Sequence, residues 1–215
     1  MNREKSFNSL LTPDERSFLD GLTTPFRIQQ FLDTVQYPSD DRNRSVLNVL
    51  RERKAHCLDG GLFGAAALRW LGYPPMIVDL LPEPGTDDDH ILAIYRVDGY
   101  WGAVAKSNFV GLKFREPIHR NLRELVLTYF NDYFNTVGQK TLRGYTRPIK
   151  LAGFDSLNWL TTDEGVDKLE KRLYHYRAIP VLTPEMVERL HPTDEVALKN
   201  ALSTANWDGL FKPKS

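Results

Sequence analysis

The sequence has a single cysteine, no excess of charge of either sign and no long apolar run. Cys57 has no partner for an internal disulfide, which is typical of a reducing compartment. Lysine plus arginine number 28, as do aspartate plus glutamate, so net charge provides no general attraction to nucleic acid or to acidic membranes. Residues 1–5 are polar and do not resemble the apolar core of a signal peptide. We therefore expect a cytoplasmic protein without nucleic-acid or membrane partners.

Several binding motifs are also missing. The sequence has no spaced pairs of cysteine and histidine of the kind that bind zinc, and no phosphate-cradling loop followed by lysine. The glycines of residues 60–64 do not follow a predicted strand, as a dinucleotide-binding loop requires. The basic run at residues 140–147 is interpreted as a solvated loop rather than a nucleic-acid contact. We expect neither a metal nor a cofactor.

Helix signals occur in both outer parts of the sequence. Thr12, Thr24 and Ser45 are typical N-cap residues, and a further helix is predicted from Cys57 to about residue 72. Apolar residues at spacings of three and four predict a long amphipathic helix over residues 118–134. Short capped helices are expected near Thr162, Thr183 and Thr193.

Strand signals are confined to the middle of the chain. Strands are predicted at residues 76–81, 90–97 and 100–107, with another near 110–114. Asp98–Gly99 is a strong signal for a two-residue hairpin turn between the second and third of these strands. Helices followed by a small antiparallel sheet and then by more helices indicate an α+β fold.

The lone cysteine lies where a nucleophile could be activated. Cys57 is predicted in the first turn of its helix, where unpaired N–H groups and the helix dipole favour a thiolate. We therefore expect faster alkylation at pH 6 than an ordinary thiol shows. The same N–H groups are suited to holding a developing oxyanion. The alternative is a small buried structural cysteine.

A nucleophilic cysteine also needs a base, and the chain has five histidines. His56 adjoins the cysteine but projects in a different direction, and His119 is expected to be solvated. His175 and His191 lie in weakly patterned segments. His90 differs because it opens a strand directly after an acidic loop, where a rigid scaffold can present a base to a cleft.

The predicted hairpin indicates which residues orient this base. A two-residue turn places Ser107 opposite His90, whereas a one-residue bulge places Asn108 or Lys106 there. A histidine base needs a hydrogen-bond partner on its second nitrogen. Asn108 is our first candidate for that partner and Ser107 the second. The acidic residues 87–89 are interpreted as a hydrated turn that raises the pKa of His90.

Four features together resemble the transglutaminase-like superfamily. They are Ala-His-Cys-Leu-Asp-Gly-Gly at 55–61, Leu-Gly-Tyr-Pro-Pro at 71–75, His90 at a strand start and Gly-Tyr-Trp at 99–101. The resemblance covers about residues 45–110. It implies a papain-like core with Cys57 as the nucleophile and His90 as the general base.

The resemblance also implies how the whole chain is divided. It implies a single domain over residues 1–215, with a core at about 45–115 and helical extensions at 1–44 and 116–215. Trp101 and Asp59 are candidates for substrate contacts. The family aspartate expected after the tryptophan is missing from Ala-Lys-Ser-Asn at 105–108, and Asn108 can replace it as asparagine does in papain-type enzymes.

Two classes of function follow. The first is a cysteine-dependent acyl-transfer enzyme that hydrolyses or transfers a peptide or small amide through a thioester. The second is a catalytically inactive transglutaminase-like fold that binds a peptide or a small molecule.

Overall fold

The computed structural model describes residues 3–211. Its α-helices are α1 (Arg3–Leu10), α2 (Pro13–Asp20), α3 (Pro25–Thr34), α4 (Val46–Glu52), α5 (Cys57–Trp70), α6 (Leu122–Leu127), α7 (Asp163–Leu173), α8 (Pro184–Val187) and α9 (Glu195–Ala201). Its strands are β1 (Met76–Pro82), β2 (His90–Val97), β3 (Tyr100–Val104), β4 (Arg115–His119), β5 (Leu142–Tyr145), β6 (Ile149–Lys150) and β7 (Ile179–Pro180). Short 3-10 helices occupy Leu151–Leu157 and Trp207–Gly209.

The strands form one antiparallel sheet in the order β4-β3-β2-β1-β5-β7, with β6 also pairing with β1. The predicted hairpin is confirmed, because Val97 pairs with Tyr100 and the same register continues to Ala93 and Val104. Gly99 has the positive φ that this turn requires. Helices flank the sheet, so the α+β prediction is also confirmed.

Alternation along β2 places its side chains in two apolar clusters. One cluster contains Ile91 and Ala93 and includes the buried face of α5. The other contains Leu92 and Ile94 and includes residues of α6. His90 opens the strand, so its ring lies at the end of the sheet, where the helix start and the strand start come together.

Two predicted elements are misplaced. Residues 110–114 form a loop, and the strand follows at β4. The long helix predicted over residues 118–134 is only α6, because turns replace it after Leu127. The guanidinium of Arg115 donates to the Thr128 carbonyl over 3.1 Å, which engages an oxygen that a continuing helix would use. The apolar spacing persists because Tyr129 and Tyr133 still pack against the sheet.

Two further expectations fail because the residues are buried. The basic run at 140–147 is not a solvated loop, since Leu142–Tyr145 within it pairs with β1 and β7. His119 is not solvated, and its Nδ1 lies 3.0 Å from the Trp101 carbonyl oxygen. Within residues 3–211, no helix has the length and apolar character needed to cross a membrane.

Candidate active site

Cys57 is the first residue of α5, as predicted, and its sulfur lies against the start of β2. Its Sγ is 3.6 Å from the carbonyl oxygen of Asp89, the residue just before β2. Gly61 allows this approach, because a Cβ there would lie 2.4 Å from Cγ2 of Ile91. The glycines that follow Cys57 thus let α5 pack closely on the strand that begins with His90.

Asp59 fixes the start of α5 and does not face a substrate. Its side chain is fully buried, and its two oxygens accept hydrogen bonds from the backbone N–H groups of Arg44 and His56 over 2.8 and 3.1 Å. The substrate-contact prediction for Asp59 is therefore wrong. Its carboxylate caps α5 from within the first turn and ties the preceding loops to it.

Cys57 and His90 line one small cavity, of about 40 Å³. The four residues that we expected to form the catalytic group all line it: Cys57, His90, Ser107 and Asn108. Cys57 also lines a wider outer groove of about 410 Å³. The cysteine therefore lies between an inner cavity that contains the histidine and a groove that opens to solvent.

The ring of His90 is held by a backbone carbonyl. His90 is 4% exposed, and its Nε2 lies 2.8 Å from the carbonyl oxygen of Leu112. A carbonyl oxygen only accepts hydrogen bonds, so Nε2 carries the proton in this arrangement. Nδ1 is then the unprotonated nitrogen of the neutral ring, with a lone pair available to accept a proton.

Ser107 and Asn108 do not orient the histidine as expected. The Ser107 hydroxyl accepts a hydrogen bond from the backbone N–H of Phe109 over 3.0 Å. The Asn108 amide group donates to the carbonyl of Asn206 over 2.9 Å, and its oxygen accepts from the Asn206 N–H over 2.8 Å. The hydrogen-bond partner of His90 is therefore the Leu112 carbonyl.

The register explains this difference. Pairing between β2 and β3 ends at Ala93 and Val104, so Ser107 is never brought opposite His90. Just after the last pair, the side chain of Gln29 forms the hydrogen bonds that a strand partner would form with Ala105. It donates to the Ala105 carbonyl and accepts from the Ala105 N–H, both over 3.0 Å.

Lys106 turns the chain further away from β2. Its ammonium group donates to the carbonyls of Leu32 and Val35 at the end of α3. A cation at this position also complements the negative end of the helix dipole. The chain after β3 is thus anchored to α3 and leaves room for Leu112 to approach the histidine.

The inner cavity is walled by a segment that sequence analysis did not single out. Gly209, Leu210 and Phe211 line both the inner cavity and the outer groove. We refer to residues 206–211 as the C-terminal strap. A Cβ at Gly209 would lie 2.6 Å from the Pro38 carbonyl oxygen, so the strap lies directly on the loop after α3.

Trp101 lies away from this site. It pairs with Arg96 near the hairpin turn, whereas His90 lies at the opposite end of β2. The Arg96 guanidinium lies 4.9 Å from the centroid of the indole ring. Trp101 is not among the described residues that line the inner cavity or the outer groove, so the structure does not bring it together with Cys57 and His90.

The charge state of the pair also differs from the expected thiolate. Burial, followed by the charges of Asp89 and Asp88, raises the pKa of Cys57 well above its usual value. Burial lowers the pKa of His90 to about 4, despite the hydrogen bond to Leu112 that acts in the opposite direction. The resting site therefore holds a neutral thiol and a neutral imidazole. The expectation of a raised His90 pKa is therefore wrong, and the raised pKa of Cys57 argues against fast alkylation at pH 6.

Carboxyl groups dominate the entrance to the site. Burial raises the pKa of Asp87 and of Asp89 to about 6 in each case. The Thr141 hydroxyl donates to Asp87 over 2.7 Å, which ties this acidic loop to β5. The loop is thus a partly buried wall of the site instead of the hydrated turn predicted. Among residues 3–211, no group of three or more histidine, cysteine, aspartate or glutamate side chains is arranged to hold a metal ion.

Three contributors to the site have no local sequence signal. The Leu112 carbonyl is a backbone group that every residue possesses, and the C-terminal strap is distant in sequence. Tyr37 lines both the cavity and the groove but lies in a loop with no motif. Compared with family models and with curated proteins, the sequence matches none.

Proposed function

We propose that the protein is a cysteine-dependent acyl-transfer enzyme with a papain-like, transglutaminase-like core, in which Cys57 is the nucleophile and His90 the general base. The observation that carries this proposal is the hydrogen bond from His90 Nε2 to the Leu112 carbonyl, in a cavity that Cys57 also lines. The bond leaves Nδ1 as the basic nitrogen, and a fixed tautomer is what general-base catalysis needs.

The reaction begins from the neutral pair. As Sγ attacks the carbonyl carbon of an amide or ester, the thiol proton passes to Nδ1 of His90 and the carbonyl electrons move to oxygen. Collapse of the tetrahedral intermediate breaks the bond to the leaving group, which takes the proton from Nδ1 as it departs. A thioester remains on Cys57.

The second half of the reaction releases the acyl group. Water or an amine gives a proton to Nδ1 as it attacks the thioester, and the sulfur leaves and recovers that proton. The Leu112 carbonyl serves both halves, because a hydrogen bond to Nε2–H becomes stronger when the ring is cationic. Hydrolysis and transfer differ only in the attacking molecule.

A second candidate is a binding module with the same fold. It is supported by Asn108, which binds the C-terminal strap instead of the histidine, and by the strap itself, which walls the cavity. A ligand that displaced the strap would then occupy the cavity without reacting. The two functions differ in whether the sulfur forms a bond.

Turnover of an activated aryl acetate tests the proposal. We expect the wild type to release the phenol, and His90→Gln and Cys57→Ala each to reduce the rate by about 10²-fold or more. His119→Gln is the matched control, because His119 is also buried and bonded to a carbonyl but lies at β4. Equal rates in wild type and Cys57→Ala would contradict the proposal and favour the binding module.

A further inference from the structure

A wide groove of about 820 Å³ adjoins the acidic loop, and neither Cys57 nor His90 is among the described residues that line it. Apolar residues form much of its wall: Leu81, Pro82, Pro84, Ala178 and Pro180. We refer to it as the lateral groove. It shares Asp88 and Asp89 with the outer groove beside Cys57, so the acidic loop borders both. The lateral groove is thus a second place where a small molecule can lie against the protein.

The charged groups of the lateral groove are mostly carboxylates. Arg143 also lines it, but its guanidinium is paired with Glu83, with Nε and Oε2 2.9 Å apart. Asp88 and Asp89 form no ion pair within the part of the chain that the structure describes. Burial raises the pKa of Asp89 only to about 6, so its side chain is ionised at neutral pH. The groove therefore presents negative charge that no cation of the described chain neutralises by direct pairing.

A buried carboxyl group, that of Asp79, is directed at the floor of this groove. Asp79 is 4% exposed, and its Oδ1 has no hydrogen-bond partner among the described residues. Alternation along β1 places its side chain on the same face as that of Leu81, which lines the groove. Asp79 pairs with Ile91, so Asp89, two residues earlier, is its diagonal neighbour. A buried polar atom without a partner costs free energy, and a ligand that donates to it removes that cost.

An aromatic side chain completes the lateral groove. Tyr174 lines it just after α7, is 70% exposed, and donates its hydroxyl to Glu170 over 3.4 Å. The face of an aromatic ring attracts a cation. Apolar walls with a few convergent polar groups are typical of sites that bind small molecules. Together with the carboxylates, these features fit a ligand that has an apolar body and a positive charge.

We propose that the lateral groove binds a small organic cation, whose ammonium group donates to Asp89 and Asp79 and whose apolar body packs against the wall near Ala178. The site lies outside the inner cavity and requires no reaction at Cys57. It is therefore independent of the proposed acyl transfer, and either can fail without the other.

Two probes of the same shape test the charge preference. Calorimetric titration at pH 8 and low salt compares 2-phenylethylamine, which is cationic, with 2-phenylethanol, which is neutral. We expect the amine to bind at least about tenfold more tightly, because a hydrogen bond between charged groups is stronger than one between neutral groups. Asp89→Asn and Asp79→Asn should each weaken binding of the amine by about tenfold and change binding of the alcohol by less than about twofold. Should Asp79→Asn not fold, the partly buried Asp89 still decides the test.

Further variants show which groove the probe occupies. Ala178→Trp fills the lateral groove from an exposed position and should weaken binding of the amine by about tenfold or more. Asp208→Asn is the matched control, because Asp208 lines the outer groove only, and it should leave the affinity unchanged. Cys57→Ala should bind the amine as the wild type does. Equal affinities for amine and alcohol, no binding of either, or an amine affinity that Asp89→Asn or Ala178→Trp leaves unchanged would overturn the inference.

Discussion

His90 is oriented by the backbone of Leu112, a contact that no side-chain substitution removes directly. At the residue scale, a backbone carbonyl thus takes the orienting position that we had expected a side chain to take. It also changes the meaning of a substitution at Asn108, which we had expected to weaken the base. The sequence indicated Cys57 and His90 because helix starts and strand starts have local signals, whereas a carbonyl acceptor has none.

The raised pKa of Cys57 determines how its reactivity depends on pH. A thiol with a raised pKa stays protonated to higher pH, so the thiolate fraction increases about tenfold for each pH unit until the pH passes that pKa. We expect the iodoacetamide rate of the wild type to rise continuously from pH 6 to pH 9. A plateau near pH 6 would show a stabilised thiolate and would contradict the neutral pair.

The same experiment tests the role of Asp89. Its carboxylate is ionised at pH 8, since its pKa is about 6, and its charge raises the pKa of Cys57. Asp89→Asn keeps the backbone carbonyl that contacts Sγ. It should therefore shift the profile to lower pH and increase the rate at pH 8 by about threefold. Asp14→Asn on the distant helix α2 is the control and should leave the rate unchanged.

At the scale of elements, the C-terminal strap is a wall of both the inner cavity and the outer groove beside Cys57. The inner cavity, at about 40 Å³, has room for little more than water, so a bulky reagent has to reach the sulfur from the groove. The strap is held by Asn108 and by the side chain of Asn206, which donates to the Tyr37 carbonyl. The hydrogen bonds of Asn108 to Asn206 thus hold the strap in place.

Loss of the hydrogen bonds between Asn108 and the strap should make the sulfur of Cys57 more accessible to reagents. We expect Asn108→Ala to increase the rate at which a bulky maleimide modifies Cys57 by several-fold, because two side-chain hydrogen bonds to Asn206 are lost. Asn200→Ala, on the exposed surface of α9, provides the matched control. A slower reaction in Asn108→Ala would instead support our original expectation that Asn108 assists the histidine.

Elements were predictable from sequence where their signals are local. The caps at Thr12, Thr24 and Ser45 begin helices as expected, and β2 has its predicted bounds. The predicted helix over residues 118–134 failed because the Arg115 side chain competes for a backbone carbonyl. Strand β5 was missed because its pairing with β1 joins segments that are far apart in sequence.

At the scale of the whole molecule, the zero net charge conceals a local excess of carboxyl groups. The outer groove beside Cys57 is lined by six acidic residues: Asp40, Asp41, Asp88, Asp89, Glu170 and Asp208. Composition alone could not indicate this, because it averages over surfaces that only the fold brings together. The same applies to the strap, which reaches the site from the end of the chain.

The order of elements was predictable as far as the hairpin. Helices followed by the strands β1, β2 and β3 are what the sequence pattern predicted, and this order brings the start of α5 to the start of β2. The helical extension expected over residues 116–215 is wrong, because β5, β6 and β7 lie between its helices and join the same sheet. The end of the β2–β3 pairing at Ala93 could not be predicted, since it depends on Gln29 of α3 binding Ala105 and on Lys106, just after β3, binding the end of α3. Which group becomes the hydrogen-bond partner of His90 depends on where that pairing ends.

The central claim is that Cys57 forms a thioester with assistance from His90, and intact-mass measurement of the acyl-enzyme tests it most directly. The wild type is mixed with an aryl acetate, quenched in acid within seconds and digested to locate the acyl group. We predict an acetyl adduct on Cys57 that hydroxylamine removes, that is absent in Cys57→Ala and that forms about 10²-fold more slowly in His90→Gln. An adduct found only on other residues, or one that forms equally fast in His90→Gln, would contradict the account.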